Sequence, residues 1–267
     1  MKALIDFDIF SYEFGNCSDA EYRPLAWPLV QARLQGRIDK ILEATGADCY
    51  QGYLTSSDKS NFRYDIATIR PYKGQRVSEK PHHYDRIRSF LVEYRGAIMC
   101  YGQEADDAMS IEQYNSLNTT LKNNKDGNWE YEQIQGYAQT VIATRDKDLD
   151  MVPGYHYNWG AGKQVEKNMW FQDKIGGQRC FYKQLLTGDT VDNIPGLFGV
   201  GKSSSHVKRI DTYDTVYDMY SAVLLEYKKR FGSYAEQFLT ENAILLWMRE
   251  FEDEIWKPPV LTPSTEQ

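Results

Sequence analysis

The sequence predicts an α/β fold with a mainly parallel central sheet flanked by helices, followed by a C-terminal helical portion. Short apolar runs typical of buried strands recur at 3–7, 49–55, 97–102 and 139–144. Between them, segments 28–44 and 84–95 place apolar residues at helical spacing. Strands that alternate with helices in this way favour a parallel sheet, with functional groups collected at the carboxyl ends of its strands.

The organisation changes in the last third of the chain. From about residue 179 the strand patterns stop and helical patterns continue, so we predict two parts, an α/β core at 1–178 and a helical region at 179–267. The polar, Asn- and Gly-containing segment 118–136 is predicted to be an exposed excursion between a helix and the next strand.

Composition limits the class of protein. The 267 residues, 42% hydrophobic, are enough to bury a core, and no apolar window of 18 residues predicts a membrane span. Four widely spaced cysteines match neither a disulfide framework nor a zinc site. We therefore expect a cytoplasmic, monomeric protein that binds no membrane.

The formal charge of −7 at first argues against a nucleic-acid partner. Nine candidate metal-site acids account for that excess, because removing them leaves −7 + 9 = +2 for the rest of the chain. Basic residues also cluster between Arg63 and Arg88. Such a cluster, taken alone, is usually a solvated face.

Acidic residues stand at or near the ends of predicted elements, in four separate stretches. They are Asp6; Glu104, Asp106 and Asp107; Asp146 and Asp148; and Asp189 and Asp192. Each stretch alone has an ordinary explanation, such as capping of a helix N-terminus. If the fold brings them together, their repulsion requires cations, and Mg²⁺ or Mn²⁺ is the natural partner of carboxylate oxygens. Two such ions can activate a water molecule and stabilise the leaving oxygen when a phosphate ester is hydrolysed.

A glycine hairpin follows the last acids in the stretch GDTVDNIPGLFGVGKSSSHV. Gly199 and Gly201 would let the backbone approach a phosphate, and Lys202 would add charge. Ser203, Ser204 and Ser205 open a predicted helix whose N–H groups bind anions. A GxGK motif alone is more often a simple turn. Directly after GDxxDNIPG, the GxGK motif becomes a strong signal for a phosphate-binding site.

Taken in order, the motifs LIDFD, FRYDIATIRPYKGQR, EADDA, ATRDKDLD and GDTVDNIPGLFGVGK resemble the 5′-nuclease family of flap endonucleases and phage-type 5′–3′ exonucleases. The resemblance covers most of the chain. It implies a PIN-like 5′-nuclease fold, a basic arch or gateway at about 60–95, and a helix-hairpin-helix in the C-terminal region.

The resemblance also implies roles for the acids. Asp6, Glu104, Asp106, Asp107, Asp146 and Asp148 match acids at a first metal ion, and Asp189 and Asp192 match acids at a second. Asp58 precedes Phe62-Arg63 at a shorter spacing than the family has, so it is either a metal-site acid or a loop residue. Asp8 has no firm counterpart, and we expect it to cap a helix.

Other residues match the DNA-handling parts of the family. Lys73 and Arg76 would contact the scissile phosphate, and Tyr72 would either stack on an unpaired base or pack in the interior. Gly199, Gly201, Lys202 and Ser203 match a hairpin that holds duplex phosphates, in the family often with a monovalent ion such as K⁺.

The resemblance implies metal-dependent hydrolysis of DNA near a 5′ end, on duplex ends, nicks, gaps or flaps, with RNA/DNA hybrid as a further candidate substrate. The setting would be phage or bacterial replication or DNA degradation, with any replication partner acting in trans. Three alternatives stay open. A haloacid dehalogenase-type phosphatase fits Asp6-Phe7-Asp8 but not Phe10, a non-catalytic DNA-binding protein would not need the acids, and a PIN-like ribonuclease lacks the helical region.

Overall fold

Strands and helices alternate through the first part of the chain in a computed structural model, which describes residues 1–76, 79–117, 119–123, 129–133, 139–160 and 162–259. The strands are β1 (Lys2–Asp6), β2 (Cys49–Thr55), β3 (Ile98–Cys100), β4 (Thr119–Asn123), β5 (Trp129–Gln133), β6 (Thr140–Ala143), β7 (Gly154–Asn158), β8 (Lys167–Gln172), β9 (Gly188–Asp189) and β10 (Ile194–Pro195). The helices are α1 (Phe7–Glu13), α2 (Trp27–Thr45), α3 (Arg63–Ile66), α4 (Tyr84–Arg95), α5 (Ala105–Ser116), α6 (Lys174–Thr187), α7 (Ser205–Arg209), α8 (Val216–Phe231) and α9 (Ala235–Leu246). Short 3₁₀ helices lie at Asp148–Met151, Ile210–Thr212 and Gly232–Tyr234.

The central sheet has six strands in the order β3-β2-β1-β6-β7-β8. All neighbours are parallel except β8, which is antiparallel to β7. β1 lies inside the sheet, where Ile5 stands opposite Gly52 on one side and Ala143 on the other. The predicted mainly parallel sheet is confirmed, and so are the predicted strands that became β1, β2, β3 and β6.

Helix α2 shows why the local prediction worked. Pro28 stands in the first turn, where its missing N–H costs nothing, and Gly46 ends the helix in the left-handed region with φ of 63°. Between them Val30, Leu34 and Ile38 recur at helical spacing and are fully buried.

Buried side chains cover both faces of the sheet, as its near-continuous apolar strands require. On one face Ala3, Ile5 and Val141 pack with residues from α1, α2 and α4. On the other face Leu4 and Ile142 share a core with the C-terminal helices. The helical region is therefore packed directly on the sheet. The predicted division at 178/179 falls within α6 and stays a prediction.

Strands β7 and β8 have no counterpart in the predicted runs. β8 lies at the edge of the sheet, where its sequence KNMWFQ is mostly exposed or half-buried and lacks the apolar run of an inner strand. Segment 118–136 lies between α5 and β6, as predicted, and contains β4 and β5, which pair antiparallel. Its predicted exposure falls outside the described residues. No helix of the described ranges is long and apolar enough to cross a membrane.

Candidate metal centre

Seven of the nine predicted acids line one cleft at the carboxyl edge of the central sheet. The cleft consists of two adjoining cavities of about 290 and 380 Å³, which share Glu104, Asp106 and Asp146. The inner cavity adds Asp148, Asp189 and Asp192, and the outer cavity adds Asp6 and Asp8. We call the two cavities together the acidic cleft. Asp6 ends β1 and Asp146 closely follows β6, which pairs with β1, so parallel strands bring these acids together.

Asp6 begins helix α1 and is fixed from both sides. Its Oδ1 accepts the backbone N–H of Asp8 at 3.1 Å, and its Oδ2 accepts the Thr144 hydroxyl at 3.0 Å. Asp8 pairs instead with Arg88 at 2.7 Å and accepts the backbone N–H of Thr55. The expected capping role of Asp8 is therefore wrong, because Asp6 caps this helix.

Three acids of the cleft make no ion pair within the described residues: Asp6, Asp106 and Asp146. Burial, together with the charges of Asp8 and Asp146, raises the pKa of Asp6 to about 7. Burial and the charges of Asp6 and Asp146 hold the pKa of Asp106 well above its ordinary value. This unpaired half of the cleft carries repulsion that a cation would relieve.

The other half of the cleft neutralises its acids with basic side chains. Glu104 pairs with Lys73, and Asp192 pairs with Arg76 at 2.5 Å and with Lys73 at 3.6 Å. Burial alone would raise the pKa of Glu104, but the charges of Lys73 and Arg63 outweigh it and lower the pKa.

Lys147 serves the remaining acids of this paired half. Its ammonium lies 2.6 Å from Asp148 and 3.0 Å from Asp189. Burial would raise the pKa of Asp189, yet the hydrogen bond and charge of Lys147 hold it below its ordinary value. For Asp148, burial and the charge of Asp146 prevail and raise the pKa to about 7.

The loop between β9 and β10 positions Asp189 and Asp192. Asp189 Oδ1 accepts the backbone N–H groups of Val191 at 2.7 Å and Asp192 at 3.2 Å, which folds the loop around its own side chain. Gly188 has φ of 69°, and a Cβ there would lie 2.2 Å from the Gly196 nitrogen. The glycines of GDxxDNIPG are thus required by the close approach of the two short strands.

Residues 71–76 lie against this loop and supply two cations of the cleft, Lys73 and Arg76. The Lys73 backbone N–H donates to the Asp192 carbonyl at 2.9 Å, and the Asn193 side chain donates to the Pro71 carbonyl at 2.9 Å. Lys73 has φ of 52°, a conformation that costs an L-residue about 1–2 kcal/mol and persists only when its surroundings hold it. These contacts hold the Lys73 ammonium over Glu104.

Tyr72 points into the protein. Its side chain is buried, and its hydroxyl lies 2.8 Å from Asp192 and 3.0 Å from Glu104. Of the two roles expected for Tyr72, the geometry fits interior packing and does not present the ring to an unpaired base.

Asp107 lies outside the acidic cleft. It is fully buried, and its two oxygens accept Nη1 and Nη2 of Arg63 at 2.5 and 2.8 Å. Arg63 is itself buried and also donates to the Leu245 and Trp247 carbonyls. The Asp107 carboxylate is therefore committed to holding α5 against α3 and the end of α9.

Asp58 also lies outside the cleft. It is exposed in the turn after β2, where its carboxylate accepts the backbone N–H of Ser60 at 2.9 Å, and hydrogen bonds from Ser60 lower its pKa. Of the two roles expected for Asp58, this position fits the loop residue.

The predicted hairpin residues lie beside the cleft. Gly199 has φ of 76°, no atom stands within 4 Å of a Cβ at Gly199 or Gly201, and Ser203 is exposed. Ser204 caps the short helix α7. Lys202 lines a cavity together with Lys147 and Lys183, and Asp148 and Asp189 form another part of its wall. The hairpin thus presents open backbone and a cation next to the paired half.

Several residues that line the cleft are not among the predicted site residues. Arg145 and Lys147 lie within the motif ATRDKDLD, so their position beside its acids could have revealed them. Tyr12 and Gln164 also line the cleft, but they lie in segments without a recognisable pattern. Only the tertiary structure shows them.

The side chains of the cleft fit divalent metal ions. Oxygen donors predominate, three acids have no ion pair in the part of the chain that the structure describes, and bound cations would reverse the repulsion that raises the pKa of Asp6 and Asp106. Within the described residues no group of three acids forms a ready ligand cage for one ion. Mg²⁺ commonly binds one or two carboxylates and keeps several waters, so it does not require such a cage.

Solved structures show the same fold. A bacteriophage T5 protein co-crystallised with metal ions has 15% sequence identity, with 92% of this chain and 89% of that chain covered and a TM-score of 0.53. A variant of the bacteriophage T5 flap endonuclease, in complex with DNA and metal ions, has 15% identity with the same coverage and a TM-score of 0.54. A T5 5′-exonuclease variant has 13% identity, covers 92% and 86%, and has a TM-score of 0.50.

The chain has the 5′-nuclease fold. At these identities the likeness is one of fold, and it confirms the predicted fold class. No family model and no curated protein sequence matches the chain. Acids from all four stretches of the sequence lie in the acidic cleft of this fold.

Proposed function

We propose that the chain is a divalent-metal-dependent nuclease that hydrolyses phosphodiester bonds near DNA 5′ ends, as a 5′–3′ exonuclease or flap endonuclease. The acidic cleft carries this proposal: three acids that form no ion pair with any described residue line it together with two basic side chains, Lys73 and Arg76, in the 5′-nuclease fold. The T5 structures with the same fold are described as a 5′-exonuclease and a flap endonuclease bound to DNA and metal ions.

Two sets of acids are proposed to hold two Mg²⁺ or Mn²⁺ ions. The first set is Asp6, Glu104, Asp106 and Asp146. The resemblance assigns Asp148 to the first ion, but we group it with Asp189 and Asp192 in the second set, because Lys147 contacts both Asp148 and Asp189. Divalent ions supply the Lewis acidity that hydrolysis of a phosphodiester requires. Asp107 and Asp58 are left out of both sets. The Asp107 carboxylate is paired with Arg63, and Asp58 lies in an exposed turn.

Lys73 and Arg76 are proposed to bind the scissile phosphate. In the structure they neutralise Glu104 and Asp192, so their charged groups already lie among the acids of the cleft. Positive side chains fixed in this way stabilise the negative charge that grows on the phosphate oxygens during hydrolysis. The burial and hydrogen bonds of Tyr72 keep the segment in place.

The DNA contacts are proposed to come from two surfaces. Tyr12 lines the outer cavity and is 51% exposed, with its ring edge against Tyr84, so we assign it the base-stacking role expected for Tyr72. Gly199, Gly201, Lys202 and Ser203 would hold duplex phosphates through backbone N–H groups and the Lys202 charge, with K⁺ as the candidate monovalent ion. Neither surface reads base sequence.

The proposed substrates are duplexes with a free 5′ end, nick, gap or flap, and RNA/DNA hybrids extend this set. A monomer that removes primers in phage or bacterial replication, or degrades DNA, would have this activity. Any replication partner would act in trans.

Digestion of labelled DNA tests the proposal. Flapped, nicked, gapped and blunt duplexes labelled at either end are incubated with Mg²⁺, with and without chelator, and the products are sized. We expect cleavage near the 5′ end that the chelator abolishes and that Asp146→Asn removes. Asp39→Asn, an exposed acid of α2, is the matched control and should cut normally. Activity that survives chelation or Asp146→Asn would refute the assignment.

A further inference from the structure

We propose that Arg145 binds a phosphate of the cleaved strand next to the scissile one, and so sets where the strand crosses the acidic cleft. This inference rests on the proposed nuclease function. Arg145 lies within the motif ATRDKDLD, but the resemblance assigns it no role.

Arg145 stands where the two cavities of the cleft meet and lines both of them. Its Nε donates to the Gln164 side-chain oxygen at 3.0 Å, and the Gln164 amide donates back to the Arg145 carbonyl at 2.9 Å. Its Nη1 donates to Glu13 at 3.3 Å. The guanidinium is therefore oriented by two partners at the mouth of the cleft.

Glu13 is a fixed anchor for this arginine. Its carboxylate is only 12% exposed and also accepts Arg37 at 2.6 Å and the Trp159 indole N–H at 3.0 Å. An acid held by three donors loses little freedom when it orients one of them. Arg145 is thus pre-organised, which lowers the entropy cost of binding a further ligand.

The charge of Arg145 is used differently from the other cations of the cleft. Lys73, Arg76 and Lys147 pair with acids of the proposed metal sets. Within the described residues Arg145 pairs with none of them, and its side chain remains 24% exposed. Glu13 is shared with Arg37, so one carboxylate faces two cations and a net positive charge remains beside the cleft.

A phosphodiester matches these donors best. A guanidinium presents planar, paired N–H groups and keeps its charge at all ordinary pH values, which suits phosphate oxygens. The contact would position the strand without reading its bases.

A purely structural role for Arg145 is the competing explanation, and Arg37 provides a matched control for it. Both guanidinium groups pair with Glu13, and both side chains are 24% exposed. Of these two arginines only Arg145 lines the acidic cleft; Arg37 lines a separate cavity with Arg33 and Lys40. Both alanine variants lose one partner of Glu13, so a difference between them in DNA binding is due to the position of Arg145 in the cleft.

Binding and cleavage are measured separately. The dissociation constant of a labelled 5′-flap duplex is followed by fluorescence anisotropy in chelator, and kcat and KM are measured in Mg²⁺. We expect Arg145→Ala to raise Kd and KM about tenfold while kcat stays within about twofold, because one charge-assisted contact is lost. The plot of log Kd against log salt should become less steep by about 0.7–0.9. Arg37→Ala should stay within about twofold of the parent protein, and Arg145→Lys should restore part of the loss.

A substrate series locates the contact. Flap duplexes with a single uncharged methylphosphonate linkage, placed at successive positions around the cut, are bound to the parent protein and to Arg145→Ala. A methylphosphonate at one position next to the scissile phosphate should weaken DNA binding by the parent protein and leave DNA binding by Arg145→Ala unchanged. Arg145→Gln removes the charge but keeps more of the side chain, and it replaces Arg145→Ala should that variant fold poorly.

Three results would overturn the inference: unchanged Kd and KM in Arg145→Ala, an equal loss in Arg37→Ala, or a fall in kcat with Kd unaltered. Failure of the proposed function looks different. In that case the parent protein cuts none of the substrates in Mg²⁺ or Mn²⁺, while the anisotropy comparison of Arg145→Ala with Arg37→Ala still decides the role of Arg145.

Discussion

Replacing Asp107 by Asn separates a structural acid from a metal ligand. Asp107 and Arg63 are 0% and 1% exposed, and the pair makes two hydrogen bonds of 2.5 and 2.8 Å. Removing one partner leaves the Arg63 charge buried and unpaired, which typically costs about 3–5 kcal/mol. At roughly 2–4 °C per kcal/mol for a chain of this size, Tm should fall by about 6–20 °C.

Asp146→Asn should act in the opposite direction. The Asp146 charge raises the pKa of Asp6 and Asp106, so its removal relieves repulsion in the metal-free protein. Urea unfolding and thermal scans in chelator compare the two variants. We expect Asp107→Asn to be less stable than the parent protein but to cleave DNA at temperatures where it stays folded. Asp146→Asn should be at least as stable as the parent protein and inactive.

The opposite pattern would refute this reasoning. If Asp107→Asn unfolds at the same urea concentration as the parent protein and yet loses cleavage and the stabilisation by Mg²⁺, then Asp107 is a metal ligand. The Arg63 pair would in that case contribute nothing measurable to stability.

Three further predictions follow from the cleft. The metal-free protein should lose stability as the pH rises from about 4 to 7, because burial and neighbouring charges raise the pKa of Asp6 and Asp148 to about 7 in the folded state. The stability that these two protonated acids contribute is complete below their pKa in the unfolded chain and is lost as the pH rises through their pKa in the folded protein. Urea unfolding at pH 5 and pH 8 measures the difference. Lys73→Ala should lower the single-turnover cleavage rate by about 10²–10³ while Kd for DNA changes little, and the reverse split would leave Lys73 a positioning residue. Tyr12→Ala should weaken binding of a flapped duplex by roughly 1–3 kcal/mol but not of a blunt one, whereas Tyr72→Phe should bind both normally in anisotropy titrations; equal effects of the two variants would contradict the stacking assignment.

The sheet could be predicted because its inner strands carry their own signal. β1 and β6 are buried on both faces, so their sequences are continuous apolar runs that differ clearly from the helices around them. β8 forms only through pairing with β7 at the sheet edge, and its residues follow no such pattern. Where a strand depends on its partner more than on burial, local sequence has little to show.

The acids of the site illustrate a second limit. Asp106 and Asp107 are neighbours in one motif, and successive residues of a helix point about 100° apart. One therefore faces the cleft and the other faces Arg63, 44 positions away along the chain. Tyr72 and Tyr12 show the same limit, since only tertiary structure buries the first and exposes the second. A motif identifies the group of residues but not which member reaches the site.

The two halves of the acidic cleft differ in how their charge is balanced, and this difference bears on the order of binding. Asp6, Asp106 and Asp146 repel one another without a basic partner among the described residues, so neutralising them is favourable from the start. Asp189 and Asp192 are already paired with Lys147, Arg76 and Lys73. A cation arriving there must displace these side chains. A phosphate that attracts Lys73 and Arg76 would remove part of that competition, so DNA and the second ion should favour each other's binding. The second ion would then bind the paired half only when substrate is present. DNA that collides only briefly with the cleft would therefore not be cut.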